Sequence, residues 1–133
     1  MRVLLDTNAY SLLMRGHEQV AEIVRAAEEL LFSAVVVGEL LYGFRRGSRF
    51  AQNAADLRSV LNSPYSTFVD VNSVTADRYS RIAATLRAKG RPLPTNDVWI
   101  AAQAMETGAD LVSGDSHFEH VDGIVWIPLT TVG

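Results

Sequence analysis

The stretch Val3-Leu4-Leu5-Asp6-Thr7-Asn8 opens on three consecutive apolar residues and stops at a carboxylate followed by two polar residues. An apolar run this short, without alternation of polar and apolar positions, marks a strand covered on both faces, the habit of parallel sheets. Comparable runs recur at Leu30 to Ala34, Thr67 to Val71, Leu111 to Val112 and Ile124 to Ile127, the last ending at Pro128. Helix-length segments separate them. Asn8 to Arg15 stops at Gly16, Glu18 to Glu29 is amphipathic, and Val36 to Phe44 is apolar on most sides. Ser48 can cap a helix reaching Leu61, and Ser73 or Thr75 one reaching Lys89, closed by Gly90 and Pro92. A last helix runs from near Asp97 to Thr107, closed by Gly108. The alternation predicts a single α/β/α sandwich over residues 1–133, with a central, mostly parallel sheet of four to five strands.

The apolar start breaks after Leu5, far short of the roughly 20 residues of a membrane span or of a signal-peptide core. A protein without membrane association, in the cytoplasm, is the expectation. The 133 residues suit one domain, and at that size folding buries about two-thirds of the surface the unfolded chain exposes. The hydrophobic content of 48% excludes intrinsic disorder. With no cysteine, thiol nucleophiles, Cys-ligated zinc, iron–sulfur clusters and disulfides are excluded.

The net charge of −3 conceals a segregation. Residues 1–44 carry three bases against six acids, residues 45–91 nine bases against three acids, and residues 92–133 six acids and no base. Eleven of the twelve bases are arginine, whose planar fork suits phosphate. A polyanion gripped by the basic middle and presented to an acidic site fits this pattern. Arg45, Arg46 and Arg49 are the first candidate contacts, with Arg78, Arg81, Arg87, Lys89 and Arg91 behind them. A solvated face between helices would give the same composition.

Open parallel sheets bind ligands at the carboxyl ends of their strands, and those positions are acidic here. Asp6 follows the first strand, Glu39 lies one turn into the helix after the second, Asp97 opens the helix before the fourth, and Asp115 follows the fourth after Ser113-Gly114. Asp6 and Asp97 could merely favour helix starts, and Asp115 a turn. Glu39 is harder to assign to structure alone, because it interrupts the otherwise almost uncharged stretch from Leu30 to Phe44. Converging carboxylates repel unless a cation compensates. Oxygen-only donors suit Mg²⁺ or Mn²⁺, one or two ions of which activate water and neutralise phosphate in phosphodiester hydrolysis.

Four segments then fall into order: Leu4-Leu5-Asp6-Thr7-Asn8, Val37-Gly38-Glu39-Leu40-Leu41-Tyr42-Gly43, Asn96-Asp97-Val98-Trp99-Ile100-Ala101-Ala102 and Ser113-Gly114-Asp115-Ser116-His117-Phe118. Together they resemble the PIN domain, most closely the VapC toxins. The resemblance implies a Mg²⁺- or Mn²⁺-dependent endoribonuclease, homodimeric and held inactive by a VapB-type antitoxin. It implies Asp6, Glu39, Asp97 and Asp115 as the acidic quartet, with Asn8, Ser113 and, to a lesser degree, Thr7 supporting them. Asp6, Asp97 and Asp115 would hold the ion, with Glu39 binding directly or through water. Many relatives carry a threonine near the start of the glutamate-bearing helix, where this chain has Val36-Val37-Gly38, so capping must come from elsewhere. Gly114 stands where many relatives have a larger residue. Tyr42 and Phe44 are assigned to core or interface.

Rival readings exist. Leu4-Leu5-Asp6-Thr7-Asn8 and Gly114-Asp115-Ser116 each also resemble a motif of haloacid-dehalogenase-like phosphatases, but that chemistry wants a second aspartate at Asn8 and a nearby lysine, and Lys89 is the only lysine. Asp115, His117 and His120 could be imagined as zinc ligands. A degenerate PIN domain that binds RNA or a protein without catalysis is the non-enzymatic alternative.

Overall fold

The computed structural model describes residues 1–130; the last three residues of the domain read over 1–133 lie outside the described residues. Five strands form one sheet: β1 (Arg2–Leu5), β2 (Glu29–Ser33), β3 (Ser66–Val69), β4 (Asp110–Ser113) and β5 (Trp126–Pro128), in the spatial order β3-β2-β1-β4-β5. Every pairing is parallel, with Leu4 opposite Leu31 on one side and Leu111 on the other. In the central strand Val3, Leu4 and Leu5 are fully buried, as the unbroken apolar run requires.

Six helices connect the strands: α1 (Thr7–Met14), α2 (Glu18–Ala26), α3 (Ala34–Arg46), α4 (Phe50–Leu61), α5 (Ser73–Lys89) and α6 (Thr95–Thr107), with a short helical turn at Ser116–His120. Right-handed crossovers put α1 to α4 over one face and α5 and α6 over the other. Consistently, α1 packs on α2 and α3, and α5 on α6, where Tyr79 and Trp99 stack with ring centroids 4.1 Å apart. The chain winds outward from β1 to β3 and then returns to the far side of β1 as β4. The topological switch point therefore lies between the carboxyl ends of β1 and β4, where a ligand crevice forms in open α/β sheets.

Several boundaries differ from the sequence expectation, each for a local reason. Helix α1 begins at Thr7 rather than Asn8 because the Asp6 carboxylate accepts the Ala9 N–H at 2.8 Å and caps it. Helix α2 stops at Ala26, since Glu29 ladders with Arg2 and ion-pairs with it at 2.7 Å. Ala34 belongs to α3, not β2, because Ser33 accepts the N–H groups of Val35 and Val36 and starts the helix. That serine supplies the cap that Val36-Val37-Gly38 cannot. Strand β3 ends at Val69 instead of Val71 because its partner β2 turns helical after Ser33.

Helix α3 is longer than Val36 to Phe44, β4 is a residue longer at each end, and β5 is shifted to Trp126–Pro128, where it pairs with Leu111–Ser113. Proline is tolerated there because β5 is an edge strand. Ser48 does not cap α4; Arg49 occupies that position without a side-chain bond, and the helix begins at Phe50, whose ring lies under the Arg45 guanidinium at 4.2 Å. Asn72, rather than Ser73 or Thr75, caps α5, with Thr75 completing a reciprocal capping box. Helix α6 starts two residues before Asp97, directly after Pro94. The closures at Gly90 and Gly108 occur as read, both with left-handed backbone (φ +70° and +72°). No helix among the described residues is long and apolar enough to cross a membrane.

Candidate metal centre

Asp6 and Ser113 meet across the switch point. Asp6 directly follows β1, its N–H bonds the Val112 carbonyl at 3.2 Å, and Ser113 at the end of β4 donates its hydroxyl to Asp6 Oδ2 at 2.5 Å. The same Ser113 hydroxyl accepts the Asp115 N–H at 3.0 Å. One buried serine thus ties two aspartates together. Burial raises the Asp6 pKa above its usual range, and Asp115 and Glu39 add to this, while the bonds from Ser113 and Ala9 offset part of it.

Asp97 reaches the same cleft from the first turn of α6. Its pKa is pushed up to about 6 by burial first, then by the charges of Asp115, Glu39 and Asp6 in that order, with His117 acting the other way. Among the acids, Asp115 has the largest effect on both Asp6 and Asp97, and Glu39 the next. Glu39, half-buried on α3, is gripped at both oxygens: Thr7 Oγ1 donates to Oε1 at 2.5 Å and Asn96 Nδ2 to Oε2 at 3.2 Å. The four predicted acids, Asp6 after β1, Glu39 within α3, Asp97 in the first turn of α6 and Asp115 after β4, therefore lie within electrostatic reach of one another at the carboxyl edge of the sheet.

The supporting residues divide. Ser113 and Thr7 bond quartet members, whereas Asn8 is exposed on α1 and makes none of these bonds. Sequence reasoning missed Asn96, whose signal was its position next to Asp97 at a helix start. It also assigned His117 only to zinc. The His117 Nδ1 lies 2.7 Å from Asp115 Oδ1, while His120 borders a different cavity with Arg81, Leu86 and Met105, so the imagined zinc triad does not assemble. Lys89 bonds Asp122 at 2.9 Å and the His120 carbonyl at 2.8 Å, away from the cleft, which removes the lysine that a haloacid-dehalogenase-like reaction needs.

Among the described residues no lysine or arginine pairs with any of the four acids. Nor, among them, are three acidic or histidine side chains close enough together to enclose an ion as they stand. The donor set is carboxylate oxygen whose mutual repulsion is opposed, among the described residues, by His117 and by no lysine or arginine, and that chemistry fits a hard divalent cation.

The candidate arginines sit at the other end of the helix bearing Glu39. Arg45 and Arg46 occupy the last turn of α3, about 9 Å along the axis from Glu39 at 1.5 Å per residue, and Arg49 follows in the loop. All three are exposed, and among the described residues none is ion-paired. Arg78 and Arg81 are instead both spent on Asp77. Tyr42 is 65% exposed beneath Arg46, so it is not a core residue, whereas Phe44 packs against the core.

An all-parallel five-stranded sheet with four carboxylates gathered near its switch point defines an α/β protein with an acidic cluster at the carboxyl edge of its sheet. The chain matches the family model described as PIN domain over residues 3–124 and belongs to that family. Among its relatives is Ribonuclease VapC2 of Haemophilus influenzae, 30% identical over 124 residues that cover 91% of this chain and 92% of that protein. Among solved structures, VapBC-1 from nontypeable Haemophilus influenzae superposes with a TM-score of 0.84 at 26% identity, over 96% of this chain and 98% of that one. The fold is shared also with VapBC2 from Rickettsia felis bound to a promoter DNA fragment, at a TM-score of 0.85 and 21% identity, over 98% and 100% of the chains.

Proposed function

We propose that this chain is the toxin of a VapBC-type toxin–antitoxin module: a Mg²⁺- or Mn²⁺-dependent endoribonuclease that hydrolyses RNA phosphodiester bonds and leaves 5′-phosphate and 3′-hydroxyl ends. A VapB-type antitoxin would restrain it, and it would act as a homodimer in the cytoplasm. The observation that carries the reading is the gathering of Asp6, Glu39, Asp97 and Asp115 at one edge of the sheet, Asp6 and Asp115 joined through Ser113, with no lysine or arginine paired to any of them among the described residues. The names of the relatives, ribonucleases, and the VapBC complexes among the solved neighbours support it.

Asp6, Asp97 and Asp115 would hold one or two ions, with Glu39 beside them. The bound cation supplies a water of lowered pKa and neutralises charge on the phosphate. Ser113, bonded to Asp6 and to the Asp115 backbone, keeps these two carboxylates in fixed register. Helix α1 contributes the Ala9 N–H, which fixes the orientation of Asp6. Arg45, Arg46 and Arg49 supply positive charge for flanking phosphates, away from the acids that would repel them.

Because water rather than a ribose hydroxyl is the nucleophile in this scheme, end chemistry tests it. Products of the antitoxin-free protein should ligate directly through 5′-phosphates and carry free 3′-hydroxyls. Fragments ending in 2′,3′-cyclic phosphate would overturn the mechanism.

A further inference from the structure

Apart from the acidic cluster, a cavity of about 420 Å³ opens between α1, α3 and α4, within the size range of small-ligand pockets. It neighbours the cluster along two helices. Tyr10, on its floor, is one turn past Asp6 on α1, and Phe44, on its wall, is about 8 Å along α3 from Glu39 at 1.5 Å per residue. Phe44 and Met14 make one side apolar, while Gln52, Asn53 and Asp56 from α4 make the other side polar. Arg15 and Arg49 complete the lining, and among the described residues neither is ion-paired.

Asp56 is the one acid in this lining. Gln52 Nε2 donates to its Oδ1 at 2.8 Å, which uses one of two amide hydrogens and leaves Oδ2 able to accept. Among the described residues the buried Tyr10 hydroxyl has no partner, and after burial it is the Asp56 charge that raises its pKa, so the polar end of the ring faces Asp56. Such a hydroxyl is satisfied when a ligand or water seated on this floor supplies the missing partner. A phosphate is the wrong occupant, because Asp56 would repel it, and an apolar side chain would strand the carboxylate and both amides. A flat ring with a polar edge fits: a nucleobase with its face on Phe44 and its edge on α4. Of the RNA bases only guanine sets two neighbouring N–H donors beside an acceptor on its pairing edge. Asp56 can take the two N–H groups, and an amide of Gln52 or Asn53 the oxygen.

We propose that this cavity is a subsite for an unpaired guanine of the RNA beside the cleaved bond, with Asp56 reading its N–H edge and Arg15 and Arg49 serving the phosphates on either side. The placement beside the cleaved bond rests on the nuclease reading above; the recognition of guanine does not.

The test gives the full chain, free of antitoxin, Mn²⁺ and single-stranded oligonucleotides that differ only in the bases flanking the cut, and compares kcat/KM. Wild type should favour guanine over the other bases by about 10- to 100-fold, the usual discrimination of a bidentate base contact. Inosine, which is guanosine without the 2-amino group, should lose about tenfold of that. Asp56→Ala, at a helix position that alanine suits, should erase both differences and cut guanine and inosine substrates alike, whereas a merely structural role for Asp56 would slow both and keep their ratio. Circular dichroism confirms that the variant is folded. Separately, guanosine 5′-monophosphate titrated into the metal-free protein should shift the NMR amide signals of α4, adenosine 5′-monophosphate should not, and Asp56→Ala should weaken the guanosine response about tenfold. A base preference that survives Asp56→Ala would overturn the proposal. Indifference to the flanking base would overturn it too, and would leave the cavity to a polypeptide segment. A wild type that cuts no RNA would defeat the nuclease reading, while the titration still decides the subsite: equal responses to the two nucleotides would overturn it.

Discussion

Replacing Asp97 by asparagine removes a charge that the folded protein disfavours, so the metal-free variant should be more stable than the wild type. The carboxyl moves from an ordinary 3.8 to about 6 on folding. At about 1.4 kcal/mol per pKa unit that difference is about 3 kcal/mol. The group is only part-buried, and solvent screening reduces the net effect to about 1–2 kcal/mol. The sign follows from linkage: the folded pKa is raised, so between about pH 4 and pH 6 the native state keeps a proton that the unfolded chain has released, and stability falls as pH rises through that window. Urea unfolding in EDTA, followed by tryptophan fluorescence, should show wild type and Asp97→Asn nearly equal at about pH 4. By about pH 7.5 the variant should lead by about 1–2 kcal/mol, or roughly 3–10 °C in Tm for a domain of this size. A gap that does not grow with pH, or a variant less stable at neutral pH, would refute the electrostatic account of the cleft.

Other expectations follow from single contacts. Among the described residues the buried Tyr10 hydroxyl has no hydrogen-bond partner, so Tyr10→Phe should be neutral or stabilising by up to about 1 kcal/mol in chemical denaturation; a clear loss would mean the hydroxyl is paired. Ser33→Ala removes the acceptor of two N–H groups at the start of α3 and should cost about 1 kcal/mol by the same assay. Converting Arg45, Arg46 and Arg49 together to alanine should raise the KM for RNA with kcat little changed and make its salt dependence shallower by about two in log–log slope. An unchanged slope would take these arginines off the RNA path.

What the sequence revealed, and what it withheld, follows from the range of the forces involved. The strands were readable because Val3-Leu4-Leu5 and its counterparts must be apolar wherever both faces of a sheet are covered. That Asp6 and Asp115 would lie together was readable because both follow strand ends at the switch point, a rule of topology rather than of detail, whereas Asp97 reaches them from a helix start. Boundaries were not, because they depend on neighbours. Strand β3 stops at Val69 only because Ser33, remote in sequence, turns its partner strand into a helix. Asn72 and Ser73 are both acceptable caps, and they are distinguished by the Asn72 side chain accepting the Val74 and Thr75 N–H groups while the Asn72 N–H bonds Thr75 in return. Asn96 looked like an ordinary helix-start residue until the fold brought Glu39, 57 positions away, against its amide. Tyr42 carried the spacing of a core residue, but it lies on the outward side of α3.

The most direct test of the metal-dependent nuclease is cleavage of total RNA by purified, antitoxin-free protein with Mg²⁺ or Mn²⁺, with EDTA, and with Asp6→Asn alongside. Asparagine can still accept the Ala9 N–H that starts α1, so the variant should fold. Discrete cuts that require the metal and vanish in Asp6→Asn are the predicted result. Cuts that persist in the folded variant or in EDTA would contradict it.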